Sequence, residues 1–157
     1  MAADEWEPRL ATVADADEVA RLLHHFNSEF DIPTPGAEVL TARLRVLLAT
    51  TDTMAIVAGT PAIAVALLTL RPNVWYVGAV ALLDELYVVP SARGRGIGSA
   101  IVGRLVSMLE ARGIDLIEIN VDEGDINAQR FYERHGFSST QRGSAERSFY
   151  YSQELIA

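Results

Sequence analysis

Residues 91–100 read SARGRGIGSA. An apolar run ends just before them, and an amphipathic helical pattern starts just after. Glycines at 94, 96 and 98 let the backbone turn tightly and leave its N–H groups bare. A turn of this kind from strand to helix sets those groups beside the positive end of the helix dipole, which makes an anion site. Arg93 and Arg95 add positive charge. The ligand that fits is a phosphate, and a pyrophosphate fits better. Any fold for this chain must therefore bring one strand end and one helix start to a single point.

Two familiar phosphate loops fail on detail. A P-loop ends in Gly-Lys-Ser/Thr, whereas Gly98-Ser99 has no lysine. A dinucleotide fingerprint counted from Gly94 needs glycine at Ser99, and counted from Gly96 it needs glycine at Ile101. The 59 residues after Gly98 are also too few for a dinucleotide-binding fold. What is left is Arg-x-x-Gly-x-Gly, carried by Arg93, Gly96 and Gly98.

Periodicity around this loop predicts the order β-α-α-β-β-β-α-β-α-β-β. Residues 9–13 read as a short strand. Asp15 starts a helix, with Glu18 completing a capping box and Val19, Leu22, Leu23 and Phe26 forming the apolar stripe. A second helix spans 37–49. Strands at 53–59 and 61–70 flank Gly59-Thr60-Pro61, and 74–90 reads as one long strand bent at Gly78. Ile97, Ala100, Ile101, Leu105, Met108 and Leu109 recur at helical spacing, and Arg112-Gly113 closes that helix. Strand 115–121 follows, then a short helix from an Asp125 cap to His135. FSST and SFYYSQEL are the last two strands, joined by QRGSAER. This is a mixed α/β fold rather than a doubly wound one, because three strands of antiparallel type run together. The 157 residues suit a single domain, 1–157.

A formal charge of −8 makes nucleic acid a poor partner and attracts cations. No apolar run reaches the roughly 18 residues of a membrane span, and MAADEWEPRL is too acidic for a secretory signal. A cytoplasmic protein with no membrane partner is expected. There is no cysteine, which excludes thiolate metal sites and a cysteine nucleophile. The adjacent His24 and His25 would point two ways from a helix, so no metal site is expected.

LDELYVVPSARGRGIGSAIV followed by NVDEGDINAQRFYERHGF resembles the GCN5-related N-acetyltransferases (GNAT). The likeness is close over residues 82–137, and the element order extends it along the chain. That resemblance implies the acyl-CoA N-acyltransferase fold and acetyl-CoA as cosubstrate. By it, main-chain groups from Arg93, Gly94, Arg95, Gly96, Ile97, Gly98 and Ser99 cradle the pyrophosphate. Leu86, Tyr87, Val88 and Val89 would flank the pantetheine arm, which pairs like an added strand in a slot opened by a bulge. Asp125 stands where the family usually has asparagine. It reads first as a helix cap, because a carboxylate cannot donate a hydrogen bond. Asn127 lies two residues late for the usual contact.

Acetyl transfer to an amine needs a base for the ammonium proton, donors for the thioester oxygen, and a proton for the departing thiolate. Tyr132 matches the family tyrosine in FYERHGF and is the expected acid. Asp84 and Glu85 are the candidate bases. Alternation along a strand sends them to opposite faces, so one at most is expected to reach the cleft directly, with Glu85 preferred. Glu118 and Asn120 share one face of the expected fifth strand, and either is a weaker acceptor-side candidate. By the resemblance, the acceptor pocket draws on Phe26, Glu29, Phe30, Asp31, Trp75, Tyr76 and the FYYSQ strand. Aromatics mixed with acids suit a primary amine on a small molecule or peptide. The rival reading is a non-catalytic acyl-CoA sensor on the same fold. Pairing of two copies through the last strands, common in the family, is left open.

Overall fold

Apolar alternation in the middle of the chain builds an antiparallel sheet. In the computed structural model, which describes residues 3–156, β1 (Arg9–Leu10), β2 (Thr53–Ala58), β3 (Ala64–Arg71), β4 (Val80–Val88) and β5 (Ile117–Ile119) lie in sequence order. The first four are antiparallel neighbours, and β5 joins β4 in parallel. The parallel step requires a crossover, supplied by α3 (Ile97–Ala111).

The two sheet faces carry different helices. Ala55, Val57, Val65 and Tyr87 form one buried cluster with Val19, Ala20 and Leu22 of α1 (Ala16–Glu29) and Leu44 of α2 (Ala37–Leu47). Residues of the other parity, Ile56, Leu68 and Leu83, are fully buried on the opposite face. There α3 contacts β2, β3 and β4, and it buries Ile97, Ile101, Leu105 and Leu109 along one stripe. Each such side chain contributes about 1.5–3 kcal/mol of burial. Ile114 N–H reaches back to the Leu109 carbonyl and Gly113 N–H to Glu110, which closes α3 at the expected Arg112-Gly113.

The backbone falls into two compact units, one running to Ile119 and one starting at Asn120. The second holds α4 (Ile126–Arg134), whose first turn is capped as expected: Ala128 N–H donates to Asp125 Oδ1 at 3.0 Å.

Several elements depart from the sequence reading. The first strand stops at Leu10. Thr12 and Asp15 instead cap a single 3-10 turn, and Asp15 is held by two bonds from Arg9 at 2.7 and 2.9 Å. The capping box expected from Asp15 and Glu18 on α1 therefore does not form. Glu18 accepts from Ala62 N–H on the hairpin, and the Arg9 guanidinium holds Asp15 down to about 2. β4 starts at Val80 rather than 74, because Asn73 offers the backbone a local alternative. Its amide oxygen accepts from the N–H groups of Trp75 and Tyr76, and its nitrogen donates to the Gly78 carbonyl. Strand β5 is three residues long where seven were expected.

The last two expected strands reduce to one isolated bridge, Thr140 to Arg147. Register in a strand is set by a buried face. Phe149, Tyr150 and Tyr151 are 67, 72 and 88% exposed, so no face is buried to set it.

Gly78 packs directly under the Gly113 carbonyl, and a Cβ there would fall well inside contact distance of that oxygen. Gly78→Ala should lower unfolding stability by about 1–3 kcal/mol. Gly103→Ala, in the exposed middle of α3 with open space at its Cβ, should raise it by about 0.4–1 kcal/mol. Urea denaturation of the two variants measures both. Equal effects would remove the packing explanation for Gly78.

Candidate active site

β4 carries one residue more than the stretch of β3 it faces. Leu67 pairs with Glu85 and Leu68 with Leu83, so Asp84 opposes nothing. This is a β-bulge, and it changes where the carboxylates point. Glu85 shares the sheet face of its partner Leu67, and Thr69 lies on that face two residues on. The Thr69 hydroxyl donates to Asp84 Oδ2. Both carboxylates therefore lean to one face, against the simple alternation expected from sequence. It is the face on which Tyr87 packs with α1.

Their surroundings differ. Asp84 is exposed, whereas Glu85 is half-buried. Burial pushes the Glu85 carboxyl above the usual carboxylate range, and the nearby Asp84 charge pushes it further. Arg71 and Glu118 extend the same face as an ion pair at 3.4 Å. The sequence offers Glu118 or Asn120 for the acceptor side but carries no signal for the Arg71 partner of Glu118.

The other edge of β4 opens beyond the bulge. β5 pairs only with residues 81–83. Val89 N–H donates to the Ile63 carbonyl at 2.9 Å, which sets the phase of the strand. Glu85 and Tyr87 turn their main-chain groups toward β3, and Leu86 and Val88 turn theirs to the edge β5 has left. On that edge the Val88 carbonyl accepts from Arg93 Nε at 2.9 Å.

The glycine loop follows at once. After a 3-10 turn at Pro90–Ala92, Gly94 and Gly96 take φ of +78° and +81°, a region closed to most side chains. A Cβ built on either meets no protein atom within 4 Å, so this backbone faces open space. The N–H groups of Gly96, Ile97 and Gly98 have no main-chain acceptor among the described residues, as expected for the first groups of a helix. Ser99 follows in the same turn. Arg93 N–H is engaged by the Pro90 carbonyl at 3.3 Å, and the Arg93 side chain turns to Glu29 at 2.7 Å. Arg95 is exposed and has no ion-pair partner among the described residues. Bare donors, a helix start and one uncommitted guanidinium can hold an anionic, phosphate-bearing group.

Asp84, Glu85, the open edge and the glycine loop thus belong to the unit ending at Ile119. Tyr132, Asp125 and Asn127 belong to the unit starting at Asn120. Tyr132 is buried within α4 and meets Phe131 and Phe137 edge-on, with ring centroids 5.2 and 5.5 Å away. Asn127 is exposed in the first turn of α4. Among the expected acceptor aromatics, Phe26 packs edge-on to Tyr87 at 5.0 Å, while Phe30 and Trp75 are 55 and 86% exposed.

The family model for the acetyltransferase (GNAT) family matches residues 19–137. A protein of Arthrobacter sp. FB24 assigned as an acetyltransferase is 50% identical to this chain. Its crystal structure superposes with a TM-score of 0.88, covering 94% of this chain and 95% of that one. An aminoglycoside N-acetyltransferase solved with CoA shares the fold at a TM-score of 0.75, with 17% identity over 96% of this chain and 95% of its own. The mycothiol acetyltransferase of Beutenbergia cavernae is 36% identical over 72 residues, 44% of this chain and 24% of that protein. The matched stretch spans about a quarter of the length of the curated relatives. No helix among the described residues is long and apolar enough to cross a membrane.

Because folding raises the Glu85 pKa, the folded chain holds that proton more tightly than the unfolded one. Its contribution to stability is full below the ordinary value of 4.5 and is lost as pH rises through the higher folded value. Glu85→Gln removes this loss. The melting temperature of the variant, relative to wild type, should rise as pH increases from about 4 toward neutrality. A difference that is flat across that range would mean Glu85 is not desolvated.

Proposed function

Since the chain belongs to the GNAT family of acetyltransferases, we propose that it moves the acetyl group of acetyl-CoA directly to a primary amine. The acceptor is a small molecule or a peptide. The observation that carries this reading is the junction of the open β4 edge with the glycine loop. One continuous stretch, from Leu86 to Gly98, offers main-chain groups for an extended amide-bearing arm and then bare N–H groups for a pyrophosphate. Few ligands have that sequence of chemistry, and coenzyme A is one.

The acceptor arrives as an ammonium with a pKa near ~10 and must lose a proton before it can attack. Glu85 takes it, directly or through water. Its raised pKa brings it nearer the operating pH, which favours proton transfer. Asp84 adds the negative charge that draws the cation in and raises Glu85. The amine nitrogen then bonds to the thioester carbon. An N–H group on the open β4 edge would stabilise the oxygen that gains charge. The carbon–sulfur bond breaks, Tyr132 gives its proton to the thiolate, and the acetylated nitrogen releases its second proton to solvent. The proton held by Glu85 returns to the tyrosinate through solvent. No covalent enzyme intermediate is needed.

Release of free thiol from acetyl-CoA across amines tests this. The panel comprises polyamines, aminoglycosides, amino acids and short peptides. The chain has no cysteine, so it adds no thiol background. Tyr132→Phe should cut turnover by roughly two to four orders of magnitude while CoA affinity stays near wild type. Gly96→Val should abolish CoA binding, because its φ is positive and its side chain would occupy the cradle. CoA binding with no thiol release from any amine would favour the sensor reading. No CoA binding at all would sink both.

A further inference from the structure

Arg93 heads the Arg-x-x-Gly-x-Gly pattern and would ordinarily be counted as positive charge for the phosphates. The geometry points to a different role. We propose that Arg93 is a latch that ties the C-terminal end of α1 to the cofactor loop, with Glu29 as its positioning partner. This rests on the proposed function only for the identity of the loop's ligand.

Three contacts engage the guanidinium. Nε donates to the Val88 carbonyl at 2.9 Å. Nη2 donates to Glu29 Oε2 at 2.7 Å. The guanidinium also lies over the Tyr87 ring, 5.7 Å from its centroid. Glu29 is the last residue of α1, and its carboxylate lies near enough to the Tyr87 hydroxyl to add to the burial that pushes the Tyr87 pKa up. Tyr87 is buried and packs against Phe26, one turn earlier on the same helix. One side chain thus joins the end of β4, the start of the glycine loop and the end of α1. Two donors at a fixed angle and a flat face for the ring are properties of arginine that lysine lacks.

The consequence for the site is specific. Glu29 neutralises Arg93, so the loop attracts an anion through main-chain N–H groups and Arg95. The end of α1, where Phe30 and the turn to α2 begin, is set by the same contact that sets the loop. By the family likeness this turn borders the acceptor, so the two substrate sites share one fastening.

The test compares Glu29→Gln, Arg93→Lys, Arg93→Gln and the Glu29→Gln/Arg93→Gln pair by calorimetric titration with CoA. A latch predicts that all four weaken CoA to a similar, modest degree. It also predicts that the double variant is no worse than either single, and that lysine fails to rescue. A phosphate ligand predicts the reverse pattern. Arg93→Lys would keep most affinity, Arg93→Gln would lose roughly tenfold or more, and Glu29→Gln would leave binding unchanged or tighter. That pattern overturns the proposal.

Amide exchange in the ligand-free protein decides it independently of CoA. Phe30, Asp31 and Ile32 N–H donate to the carbonyls of Asn27 and Ser28 at the end of α1. They should exchange several-fold faster in all four variants, with exchange in the middle of α3 unchanged. Unchanged exchange at 30–32 overturns the latch. Failure of the wild-type chain to bind CoA overturns the proposed function instead and leaves this second measurement decisive.

Discussion

A strand with partners on both sides uses nearly every main-chain donor and acceptor in its ladder. β4 escapes that because Asp84 has no opposite residue. With one residue in excess, β4 can follow β3 for its whole length only by bending, and after residue 83 it no longer runs beside β5. That single surplus residue frees the edge at Leu86 and Val88. It also turns Asp84 toward the Thr69 hydroxyl, on the face where Glu85 already stands. The slot for an extended ligand and the pair of carboxylates are two results of one register shift. In a regular ladder the two acids would point to opposite faces.

This explains which parts of the site were legible in the sequence. The loop was readable because its requirement is local. Positive φ at Gly94 and Gly96 and bare groups at a helix start follow from residue type alone. The stripe of α3 was readable for the same reason. The bulge was implied only by the family resemblance, because register belongs to a pair of strands and no residue of β4 announces its partner. The rule that adjacent strand residues face apart is sound for a regular ladder, and it failed at Asp84 and Glu85 because the ladder there is not regular.

Other differences share that cause. Asp15 precedes α1 as its type suggests, yet Arg9, six residues earlier, forms a two-bond pair with it, so its carboxylate caps no N–H of that helix. Asn73 stopped the long apolar run from becoming strand by bonding its own neighbours, a competition that hydrophobic pattern does not register. The tail residues 148–151 have the composition of a strand but bury no face. Composition sets what a segment can do; an available partner decides whether it does.

On the proposed reading, an acidic chain must bind a polyanion and a cation within a short distance, and it meets the two needs by different means. A net charge of −8 repels phosphate at long range, but salt screens that field within about 8 Å. Inside that distance the loop acts through main-chain dipoles, which do not titrate and which no neighbouring carboxylate can neutralise. An arginine in the same place can be neutralised, and Arg93 is, by Glu29. The acceptor side carries the carboxylates of Asp84, Glu85 and Glu118, and burial raises the pKa of Glu85. Proton concentration therefore acts on Glu85 and leaves the phosphate cradle almost untouched. This division lets Glu85, its pKa raised by burial, serve as a base without weakening the hold on the cosubstrate.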